Sequence, residues 1–279
     1  MNRSFPIHLF SLLYKEVKMK IGYLGPKGTF SFEACLKYNK DAIKIEYKTI
    51  TDLINSLNKN EIDEAIVPIE NSIQGGVTET IDTLCLIEGI YIKNELILKI
   101  VQNLIANRNY DKEEIKEIYS HPQAIAQCRN FILENISNAK IIEVSSTALA
   151  AKEIKNKDYA ACIANSSCID EYALTLLEDN IQDNSLNETK FWVLSKEKNI
   201  MGKKMSIMFS TKHKPGALYQ ILGILNDNSI NMTKIESRPA KTVLGEYIFL
   251  VDIDVNENVD KMYTALKEEC TYLRNLGLY

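Results

Sequence analysis

Three hydrogen-bonding side chains follow directly after an apolar segment in the stretch AIVPIENSIQGGVTETIDTL, residues 65–84. The three residues are Glu70, Asn71 and Ser72. A carboxylate, an amide and a hydroxyl together exceed what a helix cap requires, because one such side chain is enough for a cap. Gly75 and Gly76 come next, and glycines let a backbone approach another group closely. The pattern indicates a loop that binds a ligand.

Other predicted strand-to-helix junctions are also rich in small polar side chains. They contain Gly28, Thr29 and Ser31; His121 and Gln123; and Ser145, Ser146 and Thr147. In open α/β sheets, ligands bind beyond the carboxyl ends of the strands, where helix N-termini favour anions. Helix capping alone would explain any one of these hydroxyls taken by itself. A cleft that gathers them all would suit a small, oxygen-rich anion.

A further polar stretch, NIQDNSLNETKFWVL, covers residues 180–194. Asn187, Thr189 and Lys190 lie just before the apolar strand segment FWVL. Such residues either form only the loop that enters the strand or contribute side chains to the same site as the other junctions. The residues alone leave both interpretations open.

Motifs for several other kinds of chemistry are missing from the sequence. The segment GYLGPKG has neither the G-x-G-x-x-G spacing of a dinucleotide site nor the Gly-Lys-Ser/Thr of a P-loop. No G-x-S-x-G nucleophile elbow occurs. The histidines are far apart and the cysteines form no C-x-x-C pair, so we expect no metal site. The net charge of -4 gives no reason to expect nucleic acid as a partner.

The elements that must position the polar residues alternate between strands and helices over residues 20–197. This alternation predicts an α/β fold with a largely parallel sheet. The apolar patterns predict continuous helices over residues 121–135 and 166–180, among others. The polar, glycine-containing segment 198–204 predicts a domain boundary. Residues 203–279 then follow the order β-α-β-β-α-β, which is that of a ferredoxin-like α+β domain.

Residues 1–18 lack the long apolar run and the small-residue cleavage site of a secretory signal. We interpret them as a short N-terminal extension or as the result of a misassigned start, since Met19 stands just before the first predicted strand. No apolar run approaches the roughly 20 residues that a membrane-spanning helix needs, so we expect no membrane partner. The six cysteines lie mostly inside apolar segments, which is typical of reduced thiols in a cytoplasmic protein.

Taken together, the motifs resemble those of the prephenate dehydratase family. The matching segments, in the family's order and spacing, are GYLGPKGTFSFEA, VPIENSIQGGVTETIDTL, SHPQAIAQC, SSTALAAKEI and NETKF. The segments GAL at 216–218 and ESRP at 236–239 resemble those of the ACT regulatory domain that follows in these enzymes. The resemblance extends over residues 19–279.

The resemblance implies a fold and a reaction. The fold would be a two-lobed catalytic domain like a type II periplasmic binding protein, over residues 19–197, followed by an ACT domain over residues 203–279. The reaction would convert prephenate to phenylpyruvate, water and carbon dioxide in phenylalanine biosynthesis, without a cofactor. Phenylalanine would act as an allosteric inhibitor bound to the ACT domain, and the chain would form a homodimer or a homotetramer.

The resemblance also implies roles for particular residues. Thr189, in the position of the threonine of the family's T-R-F motif, would be catalytic as a hydrogen-bond donor to the leaving oxygen. The substrate would be bound by Thr29, Ser31, Glu70, Asn71, Ser72, Ser146, Thr147, Asn187 and Lys190. Phenylalanine would be bound at a subunit interface by Gly216, Ala217, Leu218, Glu236, Ser237 and Arg238.

One residue departs from the family's pattern, since Lys190 stands where the motif carries arginine. Lysine keeps the positive charge but loses the planar, two-pronged grip of a guanidinium on a carboxylate. If the arginine grips the substrate, Lys190 should weaken binding; if it forms a structural ion pair, the exchange should be mild. Two alternatives remain open: an arogenate dehydratase, and a non-catalytic two-lobed ligand sensor.

Overall fold

The structure is a computed structural model that describes residues 18–240 and 247–279. It consists of two α/β lobes followed by a C-terminal unit, residues 204–240 and 247–279. The proposed N-terminal extension lies outside the described residues, apart from Lys18. No helix in the described part of the chain is long and apolar enough to cross a membrane.

The first lobe is built from two separated parts of the chain. Its elements are β1 (Lys20–Leu24), α1 (Phe30–Tyr38), β2 (Ile43–Tyr47), α2 (Ile50–Asn58), β3 (Glu64–Asn71), β4 (Gly75–Gly76), α3 (Thr78–Leu86), β5 (Tyr91–Lys99) and β11 (Glu188–Ser195). The strand order is β2-β1-β3-β11-β5, and the short β4 pairs with β3. β1 runs parallel to β2 and β3, whereas β11 runs antiparallel to β3 and β5. The sheet is therefore mixed, because the returning strand β11 is inserted between two strands that precede the second lobe.

The second lobe is formed by the chain between β5 and β11. Its elements are β6 (Asn103–Ala106), a 3₁₀ turn (Lys112–Glu114), β7 (Glu117–Ser120), α4 (Pro122–Gln127), α5 (Arg129–Asn135), β8 (Lys140–Glu143), α6 (Thr147–Ile154), β9 (Ala160–Ala164), α7 (Ser167–Tyr172) and β10 (Thr175–Glu178). The strand order is β10-β6-β9-β7-β8, with β7 parallel to β8 and β9. The chain thus crosses between the lobes before β6 and again after β10, which leaves a cleft between them.

Two helix predictions differ from the structure. The helix expected over residues 166–180 ends at Tyr172, and Ala173 adopts a left-handed conformation with φ 55°. The following segment forms β10, because it can pair with the exposed edge of β6, a contact that its own periodicity does not reveal. The helix expected over residues 121–135 is interrupted at Cys128, where α4 ends and α5 begins.

The C-terminal unit has the predicted βαββαβ order, so this part of the predicted fold class is confirmed. Its elements are β12 (Lys204–Thr211), α8 (Ala217–Asp227), β13 (Met232–Pro239), β14 (Tyr247–Asp254), α9 (Val259–Glu269) and β15 (Cys270–Leu278). The sheet order is β13-β14-β12-β15, with all pairs antiparallel. α8 and α9 cover one face of this sheet through a buried apolar cluster.

The other face of the C-terminal sheet packs directly on the first lobe. Met208, Leu250 and Leu276 join the same buried apolar cluster as Ile92 and Trp192 of the first lobe. Burying each such side chain contributes about 1.5–3 kcal/mol. Close approach needs a glycine: Gly277 has φ 135°, and a Cβ at this position would lie 2.5 Å from the carbonyl oxygen of Ile92. The C-terminal unit therefore packs tightly against the first-lobe sheet at β11, on the face opposite the cleft.

Candidate active site

The cleft between the lobes contains a cavity of about 330 Å³, at the lower end of the range of small-molecule sites. Its polar lining comes from both lobes and consists of Thr29, Ser31, Asn71, Gln74, Gln102, His121, Gln123, Gln127, Ser145, Ser146, Thr147, Asn187 and Thr189. Among the described residues that line it, none is Asp, Glu, Lys or Arg. Hydroxyl, amide and imidazole groups therefore set the character of the cavity, together with apolar walls such as Phe30 and Phe191.

Helices from both lobes begin at this cavity. Thr29 caps α1, since its Oγ1 accepts a hydrogen bond from the Phe32 amide at 3.3 Å, and Ser146 caps α6 through the Leu149 amide at 3.0 Å. His121 caps α4, with Nδ1 accepting from the Gln123 amide at 3.2 Å. The partial positive charge at helix N-termini attracts carboxylates. The expected residues Thr29, Ser31, Ser146 and Thr147 thus all line one cavity, although Thr29 and Ser146 also serve as caps.

Asn71 and Thr189 meet on neighbouring strands at the wall of the cavity. They are register partners on β3 and β11, and each is only 9% exposed. The Asn71 Nδ2 group donates to Thr189 Oγ1 at 2.9 Å and to Asn187 Oδ1 at 2.9 Å. Thr189 therefore accepts a hydrogen bond from the protein, and its own O–H proton remains to be donated elsewhere.

The orientation of the Asn71 amide is fixed by the backbone. Its Oδ1 accepts hydrogen bonds from the amides of Ile73 and Gln74, both at 3.0 Å. A backbone N–H can only donate, so the oxygen of the Asn71 amide must face the loop and the NH₂ group must face Thr189 and Asn187. The loop after β3 thus determines which way the Thr189 hydroxyl can donate.

Glu70 and Lys190 lie outside the cavity, contrary to the expectation that they bind substrate. They are also register partners on β3 and β11, one position away from Asn71 and Thr189. Successive side chains of a strand point to opposite faces of the sheet, so this pair faces the C-terminal unit. Glu70 Oε2 lies 3.0 Å from Lys234 Nζ and 3.7 Å from Lys190 Nζ.

Ser72 is a structural link and does not line the cavity. Its Oγ donates to the Leu186 carbonyl at 3.2 Å and accepts from the Glu188 amide at 3.0 Å. Ser72 therefore ties the loop after β3 to the start of β11. Of the two glycines, only Gly76 is closely approached, and it is approached by the C-terminal unit: a Cβ there would lie 2.5 Å from Glu236 Oε2, whereas a Cβ at Gly75 would meet nothing within 4 Å.

The residues expected to bind phenylalanine are divided between two places. Gly216, Ala217 and Leu218 line a second cavity, of about 860 Å³, between the C-terminal unit and the end of α3. Glu236 faces Lys234 at 3.4 Å, and Arg238 Nε contacts Asp82 Oδ1 of α3 at 2.9 Å. Ser237 lies exposed between them, because alternate residues of β13 face opposite sides.

Gln123 lines the cavity as its place at a polar junction suggests, whereas Gln74, Gln102 and Gln127 were not singled out in the sequence. Gln102 lies where the chain first crosses between the lobes, and its Nε2 donates to Gln127 Oε1 at 3.2 Å. Gln74 follows β3 in the loop that holds Asn71. Neither has a local signal, because a glutamine in a crossover segment or loop is ordinary; only the assembled cleft brings them together.

Comparison with known proteins gives consistent results along the chain. The sequence model of the prephenate dehydratase family matches residues 21–199, and that of the ACT domain matches residues 205–271. A prephenate dehydratase of Methanocaldococcus jannaschii is 40% identical over 269 residues, which are 92% of this chain and 96% of that protein. A bifunctional chorismate mutase/prephenate dehydratase of Aquifex aeolicus is 35% identical, over 99% of this chain and 80% of that protein.

A solved structure shows the same likeness in three dimensions. The prephenate dehydratase of Arthrobacter aurescens in complex with L-Phe has a TM-score of 0.85 and 31% sequence identity to this chain. The match covers 93% of this chain and 89% of that one. The whole fold, including the C-terminal unit, is therefore shared.

Proposed function

Because the chain belongs to the prephenate dehydratase family and carries a C-terminal ACT domain, we propose that it converts prephenate to phenylpyruvate under feedback control by phenylalanine. The reaction releases carbon dioxide and water. It belongs to phenylalanine biosynthesis, and it needs no cofactor because the ring of prephenate becomes aromatic.

The reaction requires the protein mainly to position the substrate and to stabilise the leaving group. The bond from the ring to its carboxylate breaks, the electron pair enters the ring, and the C4–O bond breaks as the hydroxyl leaves; one proton is taken up to form water. The enzyme must hold the diacid and stabilise the departing oxygen. The helix N-termini at Thr29 and Ser146 suit the carboxylates, and Thr29, Ser31, Ser146, Thr147 and Asn187 remain our candidates for substrate contacts.

The observation that carries this proposal is the hydrogen bond from Asn71 to Thr189. A threonine hydroxyl is a weak acid, so it acts as a hydrogen-bond donor to the leaving oxygen and not as a full proton source. Its oxygen accepts one hydrogen bond from the Asn71 amide, and its O–H proton is left to donate to a group in the cavity. Thr189 is therefore the proposed catalytic residue, and Asn71 orients it.

The direct test is to measure the formation of phenylpyruvate from prephenate by the purified protein. The assay compares the wild-type protein with a reaction without enzyme, since prephenate also loses water and carbon dioxide slowly by itself. Phenylalanine is then added to the wild-type reaction. We expect turnover that phenylalanine suppresses; a folded protein without turnover above the uncatalysed rate would favour the ligand-sensor alternative.

Arogenate differs from prephenate by an ammonium group in place of the ketone. The described lining of the cavity offers hydroxyls, amides and positive helix ends, which suit a ketone and carboxylates better than an ammonium group. We therefore favour prephenate as substrate. Equal kcat/KM for arogenate in a parallel assay would contradict this preference.

The phenylalanine site is proposed at an interface between two subunits. Gly216–Leu218 and Ser237 are separate within one chain, and two aromatic rings are exposed near them, with Tyr219 79% exposed and Tyr247 48% exposed. A second copy would cover these rings and bring the two motifs together. Calorimetry with phenylalanine and sedimentation with and without it should show binding and a homodimer or homotetramer; a monomer that binds no phenylalanine would refute this assignment.

We also assign the protein to the cytoplasm. The cysteines are all free thiols, which agrees with a reducing compartment. The substrate is a biosynthetic intermediate, so an enzyme that consumes it belongs where it is made.

A further inference from the structure

A row of charged side chains of alternating sign lies between the ACT sheet and the first lobe. We call it the charge ladder, and its members in order are Lys204, Glu95, Lys190, Glu70, Lys234 and Glu236. The distances between neighbouring Nζ and Oε atoms along the ladder run from 2.6 Å, at Lys204 and Glu95, to 3.8 Å, at Glu95 and Lys190. Each cation inside the ladder thus lies between two carboxylates.

The ladder joins strands of both sheets. Glu95, Lys190 and Glu70 come from β5, β11 and β3, which are neighbours in the first lobe. Lys204, Lys234 and Glu236 come from β12 and β13 of the ACT domain. Lys234 is the link between the two sets at the end nearest the ESRP segment.

Lys234 is nearly buried, with only 9% of its side chain exposed. Its ammonium contacts Glu70 at 3.0 Å and Glu236 at 3.4 Å. Partial burial acts to raise the pKa of Glu70, but the ammonium groups of Lys234 and Lys190 outweigh it and hold that pKa below its ordinary value. The Glu70 side chain is 38% exposed, so the desolvated member of the pair is Lys234, whose ammonium would be left buried without this carboxylate if Glu70 were removed.

The first-lobe side of the ladder lies one residue from the proposed catalytic pair. Glu70 precedes Asn71 on β3, and Lys190 follows Thr189 on β11. A displacement of Glu70 and Lys190 relative to each other would move the two backbones and hence the hydrogen bond between Asn71 and Thr189. The far end of the ladder lies next to Ser237 in the proposed phenylalanine site.

The ladder is not what holds the two units together. The apolar cluster shared by Met208, Leu250, Leu276 and Trp192 lies beside it. Arg274 of β15 separately donates to the carbonyls of Leu84, Ile87 and Ile90 at 2.6–2.9 Å. We therefore expect the ACT domain to stay packed on the first lobe when a single ladder charge is removed, so the ladder can have a role other than attachment.

We propose that Lys234 is a positioning residue for the dehydration: through Glu70 and Lys190 it holds Asn71 and Thr189 in their reactive arrangement, and phenylalanine binding at the ACT domain inhibits by disturbing this contact. The inference rests on the proposed function. In it, β3 and β11 connect the catalytic site with the ACT domain, because each strand presents one side chain to the cleft and the next one to the ladder. Coupling of this kind requires one element whose arrangement both sites influence, and β13 is that element.

The decisive variant is Lys234→Met, with Lys267→Met as the matched control. Lys267 is an exposed lysine on α9, on the opposite side of the ACT sheet, where it lies over the Tyr263 ring at 5.3 Å. For Lys234→Met we expect kcat to fall about tenfold with KM for prephenate nearly unchanged, since misplacing a catalytic group affects the chemical step. Phenylalanine should bind in calorimetry at least as tightly as it does to the wild type, because binding no longer has to disturb the contact, but it should inhibit much less. Lys234→Arg should recover most of both properties, and Lys267→Met should match the wild type.

A second variant covers the case in which Lys234→Met does not fold. The pair Glu70→Gln with Lys234→Gln removes both charges of the contact together, so that neither of these two partners stays charged without the other. Its kcat and phenylalanine inhibition should fall as they do in the single variant.

The outcomes separate the two proposals. Absent turnover or absent inhibition in the wild type would overturn the proposed function. A wild type that behaves as expected, with either folded ladder variant retaining full kcat and full inhibition, would overturn the role of Lys234.

Discussion

At the scale of single residues, the Asn71 amide is the group that gives the Thr189 hydroxyl a direction. Two backbone amides fix its oxygen, and its NH₂ group occupies the Thr189 oxygen. A hydroxyl without a fixed partner would rotate among several, whereas this one has a fixed donor on its oxygen and its proton still to donate. A weak acid becomes useful when its geometry is fixed in advance.

Replacing Thr189 by valine tests this directly. Valine has almost the same shape, so the fold should remain and the melting temperature should change little. The loss of the hydrogen bond to the leaving oxygen should lower kcat by about 10²–10³-fold. Thr189→Ser retains a hydroxyl and should keep much of the activity. Turnover of Thr189→Val within a few-fold of the wild type would refute the catalytic role.

A Lys190 variant tests whether this position binds the substrate directly or forms a structural ion pair. Its ammonium lies between Glu70 and Glu95, at 3.7 Å and 3.8 Å, on the face of β11 away from the cavity. Lys190→Arg should therefore leave KM for prephenate within about twofold, because no substrate contact is gained and partly exposed pairs contribute little. Steady-state kinetics decides the matter, and a KM lowered by tenfold or more would favour direct contact with the substrate.

At the scale of elements, the structure depends on side chains that connect strands far apart in sequence. α3 illustrates this, because its C-terminal carbonyls are bound by Arg274 of β15. A cation at a helix C-terminus satisfies carbonyls that have no partner within the helix and also complements the helix dipole. One side chain thus supports α3 and fastens the ACT domain to the first lobe.

Arg274→Met should weaken both attachments. The lost hydrogen bonds involve a charged donor, so we expect the free energy of unfolding to fall by roughly 2–3 kcal/mol. Chemical denaturation of the variant measures this, with the exposed Arg129→Met as a control expected to stay within about 0.5 kcal/mol of the wild type. An equal effect in both variants would show that charge loss alone is responsible.

The sequence predicted most elements because their periodicity is local. The βαββαβ order of β12–β15 and the strands that precede the polar junctions follow from runs such as EAIVPI and KMSIMFSTK. β10 was missed because its strand identity depends on the edge of β6. The pairing of β3 with β11 joins residues more than a hundred positions apart, and no local pattern encodes it.

The same limitation explains the site residues. Thr29, Asn71 and Ser146 line the cavity as the junction argument anticipates, and Thr189, which the family resemblance singles out, lines it too. Glu70 and Lys190 do not, because the adjacent positions of a strand face opposite sides and the sequence does not say what lies behind the sheet. Recognising the ACT domain in sequence gave no information about which strands it covers.

At the scale of the whole molecule, the proposed catalytic pair and the charge ladder lie on opposite faces of the first lobe's sheet. The cleft side presents Asn71 and Thr189, and the other side presents the charge ladder to the ACT domain. The molecule should therefore respond to conditions that alter the ladder even when the cleft is empty.

Acid is one such condition, through Glu70. The pKa of Glu70 is lowered in the folded protein, despite partial burial, by Lys234 and Lys190. A carboxylate with a lowered folded pKa stabilises the protein above its unfolded pKa, near 4.5, and this contribution is lost as pH falls through the folded pKa. Melting temperatures of the wild type and Glu70→Gln should thus differ at pH 7 and converge as pH falls below that value. A difference that stays constant with pH would contradict the ion pair.

A natural fluorophore lies where the ACT domain packs against the first lobe. Trp192 is the single tryptophan of the chain, and it is fully buried in the apolar cluster that both units share. Its fluorescence therefore reports on this one contact surface, without any label, and phenylalanine does not absorb at the wavelengths that excite tryptophan. Emission should be blue-shifted while the surface is closed and move to the red if the ACT domain lifts from β11, so the inhibitor's effect on this contact can be followed in real time in unmodified protein.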